Sequence, residues 1–169
     1  TRNWVSGWLR FGNGSRNWSC CFLARGPSPA AALQFERVLN ELLREVGRVI
    51  VELAYNRLEG EQPDELPHVV EHEAGHYRRL NQKTPHREVA TLFGKITLWR
   101  HGYRYVERDV AEPTIFPLEV QLGLVAGATP ALACEAARLM AETGATQQTV
   151  VTRLKERHNV TWGVKKLRA

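Results

Sequence analysis

Leu39, Leu42, Leu43, Val46, Ile50 and Leu53 repeat at helical spacing in a chain of 169. That spacing is the turn of an α-helix, and it lines up the six side chains on one stripe. Upstream, Ser28-Pro29 offers a hydroxyl cap followed by a residue whose fixed φ suits a first helical turn. Downstream, Gly60 stops the pattern. The segment 28–60 therefore predicts a long amphipathic helix over residues 29–58. A helix of that length holds together only if its apolar stripe is buried. Packing on the rest of the chain is the simpler expectation, and a homodimer through the helix 29–58 is the other.

The flanks of that helix read differently. Residues 1–27, with "WLRFGNGSRNWSCCFLARG", carry neither a helical nor a strand period and no coherent signal-peptide pattern. They are read as a loose arm or a non-native flank. The chain starts at Thr1 and Met140 is its one methionine, which leads us to expect part of a longer product. Beyond the helix, Glu59, Glu61, Asp64, Glu65, Glu71 and Glu73 gather without a Lys or Arg among them, punctuated by Pro63 and Pro67. Residues 61–86 are thus expected to form an acidic linker with a short helix at its end.

That stretch contains His72-Glu73-Ala74-Gly75-His76, which fits H-E-x-x-H. On a helix the two imidazoles would share a face and ligate zinc, with Glu73 as the base that activates a bound water. His68 would extend the stripe by one turn. A zinc peptidase also needs a third ligand and an upstream sheet to align substrate. Arg79 and Gln82 stand where the extended motif would have Gly and His, and Glu135 or Glu142 would have to serve instead. The metallopeptidase is kept as an alternative, with His72 and His76 as ligands.

"HREVATLFGKITLWRHGYRYVERD" has β-branched and aromatic residues on either side of Gly94-Lys95, which predicts a β-hairpin with its turn there. Five cations (Arg87, Lys95, Arg100, Arg104, Arg108) outnumber its acids, Glu88, Glu107 and the closing Asp109. Basic side chains interleaved with Trp99, Tyr103 and Tyr105 suit phosphate contact and stacking on bases. An ordinary amphipathic hairpin whose aromatics cover a helix would look the same. The last third repeats helical signals: Thr129-Pro130 opens a helix, Gly144 closes it, Thr146 caps a second, and "VKKLRA" forms a basic third after the turn "HNVTWG". That order is a helix-turn-helix-like unit over 128–169. From Ala145 on, Arg153, Lys155, Arg157, Lys165, Lys166 and Arg168 face one acid, Glu156. Thr161, Trp162, Lys165 and Lys166 sit where base-reading side chains would be, although Trp162 serves equally as a core anchor.

A net charge of +5 and a pI near 9.4 agree with an anionic partner. No apolar run reaches the roughly 20 residues of a membrane span, so no membrane partner is expected. Cys20, Cys21 and Cys134 make neither a disulfide framework nor a zinc ribbon, which fits a reducing cytoplasm.

From Arg87 onward, "REVATLFGKITLWRHGYRYVE", "IFPLEVQLGL" and "TPALACEAARLMAETGATQQTVVTRLKERHNVTWGVKKLR" follow one another. In order and spacing this resembles the amino-terminal region of ISKra-type insertion-sequence transposases. Thr91, Gly94 and Ile96 match that group's T-x-x-G-x-(I/V) hairpin. Pro117, Leu118, Glu119, Leu122 and Gly123 match its PL-(D/E)-x-x-LG segment. The resemblance covers about half the chain well, and more if the long helix is counted. It implies double-stranded DNA at transposon ends as the partner, in the cytoplasm of a prokaryote close to its nucleoid. It also implies strand transfer by three acids and a divalent metal (Mg) on a downstream RNase H-like domain. No catalytic residue and no cofactor are then expected in this chain. Relatives often carry cysteine pairs flanking the hairpin, and none stands at those places here.

The combined expectation is an α+β fold, mainly α: a long N-terminal helix, a central β-hairpin with the PLE-LGL segment over 87–127, and a C-terminal three-helix unit. Its DNA contacts would come from Arg87, Lys95, Trp99, Arg100, Tyr103, Arg104, Arg153, Lys155, Thr161, Lys165, Lys166 and Arg168. A structural or dimerisation remnant without activity is the remaining alternative.

Overall fold

Ser28 begins the first helix as its hydroxyl predicts: Oγ accepts from Ala31 N at 3.2 Å, and the carbonyl accepts from Ala32 N at 2.9 Å. Helix α1 (Pro29–Leu58) then runs for 30 residues. The computed structural model describes residues 28–59, 66–73, 75–106 and 112–168, apart from the side chains of Arg87 and Arg168. The expected arm over 1–27, the stretch 60–65, and Glu107 and Arg108 lie outside the described residues. The chain divides into two units, residues 1–42 and 43–169, with the division inside α1. Of the first unit, the described part is the opening of α1, where Leu33, Leu39 and Leu42 are exposed.

The second unit continues with β1 (Val69–His72), β2 (Gly75–Thr91), β3 (Gly94–Tyr105), α2 (Pro117–Gln121), α3 (Pro130–Ala141), α4 (Gln147–His158) and α5 (Val164–Arg168). The fold is mixed α+β with a long N-terminal helix and more helix than strand. Its strands form one antiparallel sheet in the order β1-β2-β3.

Two expectations about this middle region need correction. Residues 69–72 and 75–86 are strand, not a linker ending in a short helix. His72 pairs with Gly75, so the chain reverses within two residues, and Glu73 takes the left-handed φ of 52° that such a reversal needs. A Cβ at Gly75 would strike the ring of Tyr105 and force it to move. Val69, Val70 and Tyr77 favour the pleated surface, and a helix through the same residues would have to carry Gly75 in its interior.

The second correction concerns the β2–β3 turn. Thr91 pairs with Gly94, so the turn is Leu92-Phe93 and Gly94 is the first residue of β3, not part of the turn. The Thr91 hydroxyl accepts from Phe93 N at 3.1 Å and donates to Gly94 O at 2.8 Å. Gly94 then takes φ 121°, a value a side chain would oppose. Thr91 and Gly94, two residues of the quoted T-x-x-G pattern, thereby close the hairpin chemically.

The turn end of the hairpin is buried on both faces. Val89, Ile96 and Leu98 pack with Leu118 of α2, and Val51 and Tyr55 of α1 close over them. Ala90, the next residue of β2, points the other way and joins Ala128, Leu132, Ala136, Leu139, Val150, Leu154 and Val160. Adjacent strand residues thus feed two cores, as alternation requires. Truncating Leu98 or Leu154, both 0% exposed, to alanine would cost about 2–5 kcal/mol.

Strand β3 lies at the edge of the sheet, yet its outer backbone is covered. Asn56 of α1 donates to Thr97 O at 2.9 Å and accepts from Trp99 N at 2.7 Å. Glu59 accepts from His101 N at 2.6 Å. Ile115 exchanges both backbone hydrogen bonds with Tyr103 at 2.9 Å. Each buried group left unmet would cost about 1–3 kcal/mol, and an open edge invites pairing with another chain. Helix α1 is therefore a lid for the sheet edge, and it docks through Gly47, Arg48, Val51, Tyr55 and Asn56. The stripe that most clearly predicted the helix is not the docking face: Leu43, Val46, Ile50 and Leu53 remain exposed, and α1 has no buried residue among those described.

In the C-terminal helices the predicted caps differ. Thr146 accepts from Thr149 N at 3.1 Å. Thr129 makes no such bond, and Pro130 alone sets the start of α3.

Candidate nucleic-acid interface

Cross-strand pairing decides which cations remain available. In the register of β2 and β3, Tyr77 faces Tyr105 and Arg78 faces Arg104. The tyrosine rings meet at 5.2 Å on one face of the sheet. The two arginines stand on the other face, both exposed. Directly opposed side chains have Cβ atoms about 4.5–5.5 Å apart, and like charges in that position repel. Neither arginine has an ion pair or side-chain hydrogen bond among the described residues. Two guanidinium groups held side by side, with no ion pair among the described residues, are arranged to receive an anion such as a phosphate.

Arg78 is not among the sequence-based candidates because its segment reads as linker. The available signal is the repeated "YRR" and "YRY" on the two sides of the hairpin, which places arginines between inward-facing tyrosines.

The other candidates separate by burial. Arg100, 9% exposed, and Tyr103, 3% exposed, are not surface contacts, a correction to the expected set. Arg100 lies over the Phe116 ring at 3.8 Å, donates to Thr84 O at 3.1 Å, and is ion-paired with Glu119. Glu119 also takes a hydrogen bond from His86 Nδ1 at 2.6 Å, so one carboxylate ties α2 to both long strands. That is the role of the acid in the quoted PLE segment. Tyr103 donates its hydroxyl to Pro67 O at 3.1 Å, and burial raises its pKa above the usual phenol value. Trp99 is 47% exposed, and Arg104 is open to solvent. Lys95 Nζ is held 3.0 Å from Glu88, whose carboxyl is kept below the ordinary range by that bond and by Lys166 nearby.

Lys166 and His86 both flank Gly127, and Lys166 hangs 5.9 Å over the Trp162 ring. His158 Nδ1 donates to Leu92 O at 2.8 Å. The hairpin turn and the C-terminal helices are thus one assembly. In that unit, Arg153 is ion-paired with Glu142 and Arg157 with Glu135 at 3.3 Å. Arg138 grips Glu135 from the next helical turn at 2.8 Å and, with Arg157 and His158, holds its carboxyl down at about 2. Lys155, Thr161 and Lys165 are exposed, and neither lysine has an ion pair among the described residues. Trp162 packs against the core of α3 and α4. The side chains of Arg87 and Arg168 lie outside the described residues.

The H-E-x-x-H residues do not converge. Glu71 is opposite His76 and His72 opposite Gly75, so the two histidines project from opposite faces of a strand pair. His76 Nδ1 lies 3.8 Å from Glu71, while the His72 ring sits edge-on to Tyr77 at 6.0 Å on the other face. The zinc-helix geometry with Glu73 as base is therefore corrected: a hairpin turn cannot present the two imidazoles to one ion. Glu135 and Glu142, the conceivable third ligands, are committed to arginines.

Arg104, opposite Arg78, lies about ten residues along β3 from Gly94, its first residue, a contour of about 33 Å at strand rise. No helix among the described residues is long and apolar enough to cross a membrane. Comparison with family models, curated proteins and solved structures finds no match.

Proposed function

We propose that this chain binds double-stranded DNA and is the non-catalytic, amino-terminal part of an insertion-sequence transposase acting at the nucleoid. The observation that carries the DNA reading is the Arg78–Arg104 pair, two exposed guanidinium groups opposed across β2 and β3 without a carboxylate among the described residues. Lys155 and Lys165 supply further exposed cations on the C-terminal helices. The transposase reading rests on the ordered resemblance of Thr91, Gly94, Ile96, Pro117, Leu118, Glu119, Leu122 and Gly123 to that group. Under it, a Mg-dependent RNase H-like domain carries out strand transfer and this chain supplies the grip on DNA.

Fluorescence anisotropy with a labelled duplex of about three helical turns tests the DNA reading. Phosphates held by Arg78, Arg104, Lys155 and Lys165 give a slope of about −3.6 in log affinity against log salt. Affinity should then fall about a hundredfold between roughly 50 and 200 mM salt. Absence of binding at low salt, or a slope near zero, would overturn it.

A further inference from the structure

The apolar stripe of α1 is the largest exposed hydrophobic feature among the described residues, and it lies on the side of the helix that docks on nothing described. Gly47, Arg48, Val51, Tyr55 and Asn56 face the sheet. At 3.6 residues per turn, Val46, Ile50 and Leu53 lie roughly 180° away. Leu39, Leu43, Val46, Ile50 and Leu53 are 39–61% exposed. Their positions alternate in steps of four and three residues, the seam of a two-stranded coiled coil. One step beyond each end, the same seam continues with Glu36 and Arg57, both exposed and without an ion pair among the described residues.

We infer that this face pairs with the same face of a second copy, antiparallel, about a two-fold axis crossing between Val46 and Gly47. That axis sets Glu36 of one copy against Arg57 of the other at both ends. It also sets Leu43 against Ile50 and brings Val46 beside its own counterpart. A parallel, in-register pair would oppose Glu36 to Glu36 and Arg57 to Arg57, and like charges facing each other disfavour it. The partner is thus another copy because the seam is complementary to itself when reversed, and a C2 interface has that property. Four positions in every seven line such an interface, or about 17 of the 30 residues of α1. That is a little below the 20–30 residues a side of a standard stable interface, so the dimer dissociates on dilution. The geometry leaves α1 free to keep covering β3, because the docking face and the seam are opposite.

Sedimentation velocity of the full chain over a dilution series tests this, with far-UV circular dichroism checking that each variant is folded. The wild type should pass from dimer to monomer as concentration falls. Glu36→Arg alone and Arg57→Glu alone should each weaken the dimer roughly tenfold, because two attractive contacts become repulsive. Glu36→Arg with Arg57→Glu should return the affinity to within about threefold of the wild type. A wild type that stays monomeric overturns the inference and leaves the stripe to residues 1–27 or to a different protein. A dimer whose affinity ignores the single changes, or that the double change fails to restore, overturns the antiparallel pairing.

Discussion

Replacing Arg78 and Arg104 together by glutamine separates a binding role from a structural one, because the two roles predict opposite signs for stability. The pair is directly opposed in the β2–β3 register and both side chains are exposed. With the charges splayed to about 7 Å in water, their repulsion is about 0.6 kcal/mol before salt screening. Removing both charges should therefore leave the melting temperature unchanged or raise it by roughly 1–2 °C. DNA binding should move the other way. Each phosphate no longer neutralised takes about 0.9 from the salt slope, so the slope should drop from about −3.6 to about −1.8. At 0.1 M salt the same two phosphates correspond to about a 60-fold loss of affinity.

The assay is paired: anisotropy titrations with duplex at several salt concentrations, and thermal melts of the same preparations. Arg138→Gln is the control for net charge, because Arg138 is occupied by Glu135 at 2.8 Å and should change the slope little. An unchanged slope in the double variant refutes the assignment of phosphates to this pair. A fall in melting temperature of more than about 5 °C, equivalent to more than 1 kcal/mol, refutes the reading that the two arginines serve binding and not the fold.

Two further outcomes follow from the internal ion pairs. Glu119→Gln removes the carboxylate that joins His86 and the buried Arg100; leaving that guanidinium uncompensated should cost about 3–5 kcal/mol, read as a lowered urea midpoint. Glu135 is held at about 2, chiefly by Arg138. Its depressed value means a contribution fully present above its unfolded pKa of about 4.3. That contribution is lost as pH falls from there through 2. After allowance for screening the loss is about 1–2 kcal/mol. Acid titration of Glu135→Gln should lack that part of the transition.

Helices were legible in the sequence because their signals are local. Ser28 and Thr146 mark helix starts by the chemistry of unmet N–H groups, and Pro130 marks one by its fixed φ. The sheet was harder, because pairing is a relation between distant residues. "VVEHEAGHYRRL" shows the difficulty. Its His72 and His76 fit a helical period of four as well as they fit a hairpin reversal, and the acids around it favoured neither. What decides it is Tyr105, far along the chain, whose ring fills the space beside Gly75 and pairs with Tyr77. The stripe of α1 misled for a related reason. Apolar periodicity reports that a face needs a partner, and it is silent on which partner. The face that docks on β3 uses Gly47, Arg48 and Asn56, residues that a search for apolar stripes passes over.

The charge of the candidate interface follows from the same distinction between local composition and distant pairing. Counted along the chain, the hairpin and the C-terminal helices are both strongly basic. In the fold, Lys95 is held by Glu88, Arg100 by Glu119, Arg138 and Arg157 by Glu135, and Arg153 by Glu142. All but the Arg138–Glu135 pair, which lies within α3, join separate elements, so the cations in them serve the fold. Arg78, Arg104, Lys155 and Lys165 are left over, exposed and without a carboxylate among the described residues. A surface cation paired to a carboxylate gains little by exchanging it for a phosphate, whereas an unpaired one releases counterions on binding without losing a bond. The cations that the fold does not use are therefore those best placed to hold an anionic polymer, and two of them mutually repel until one arrives.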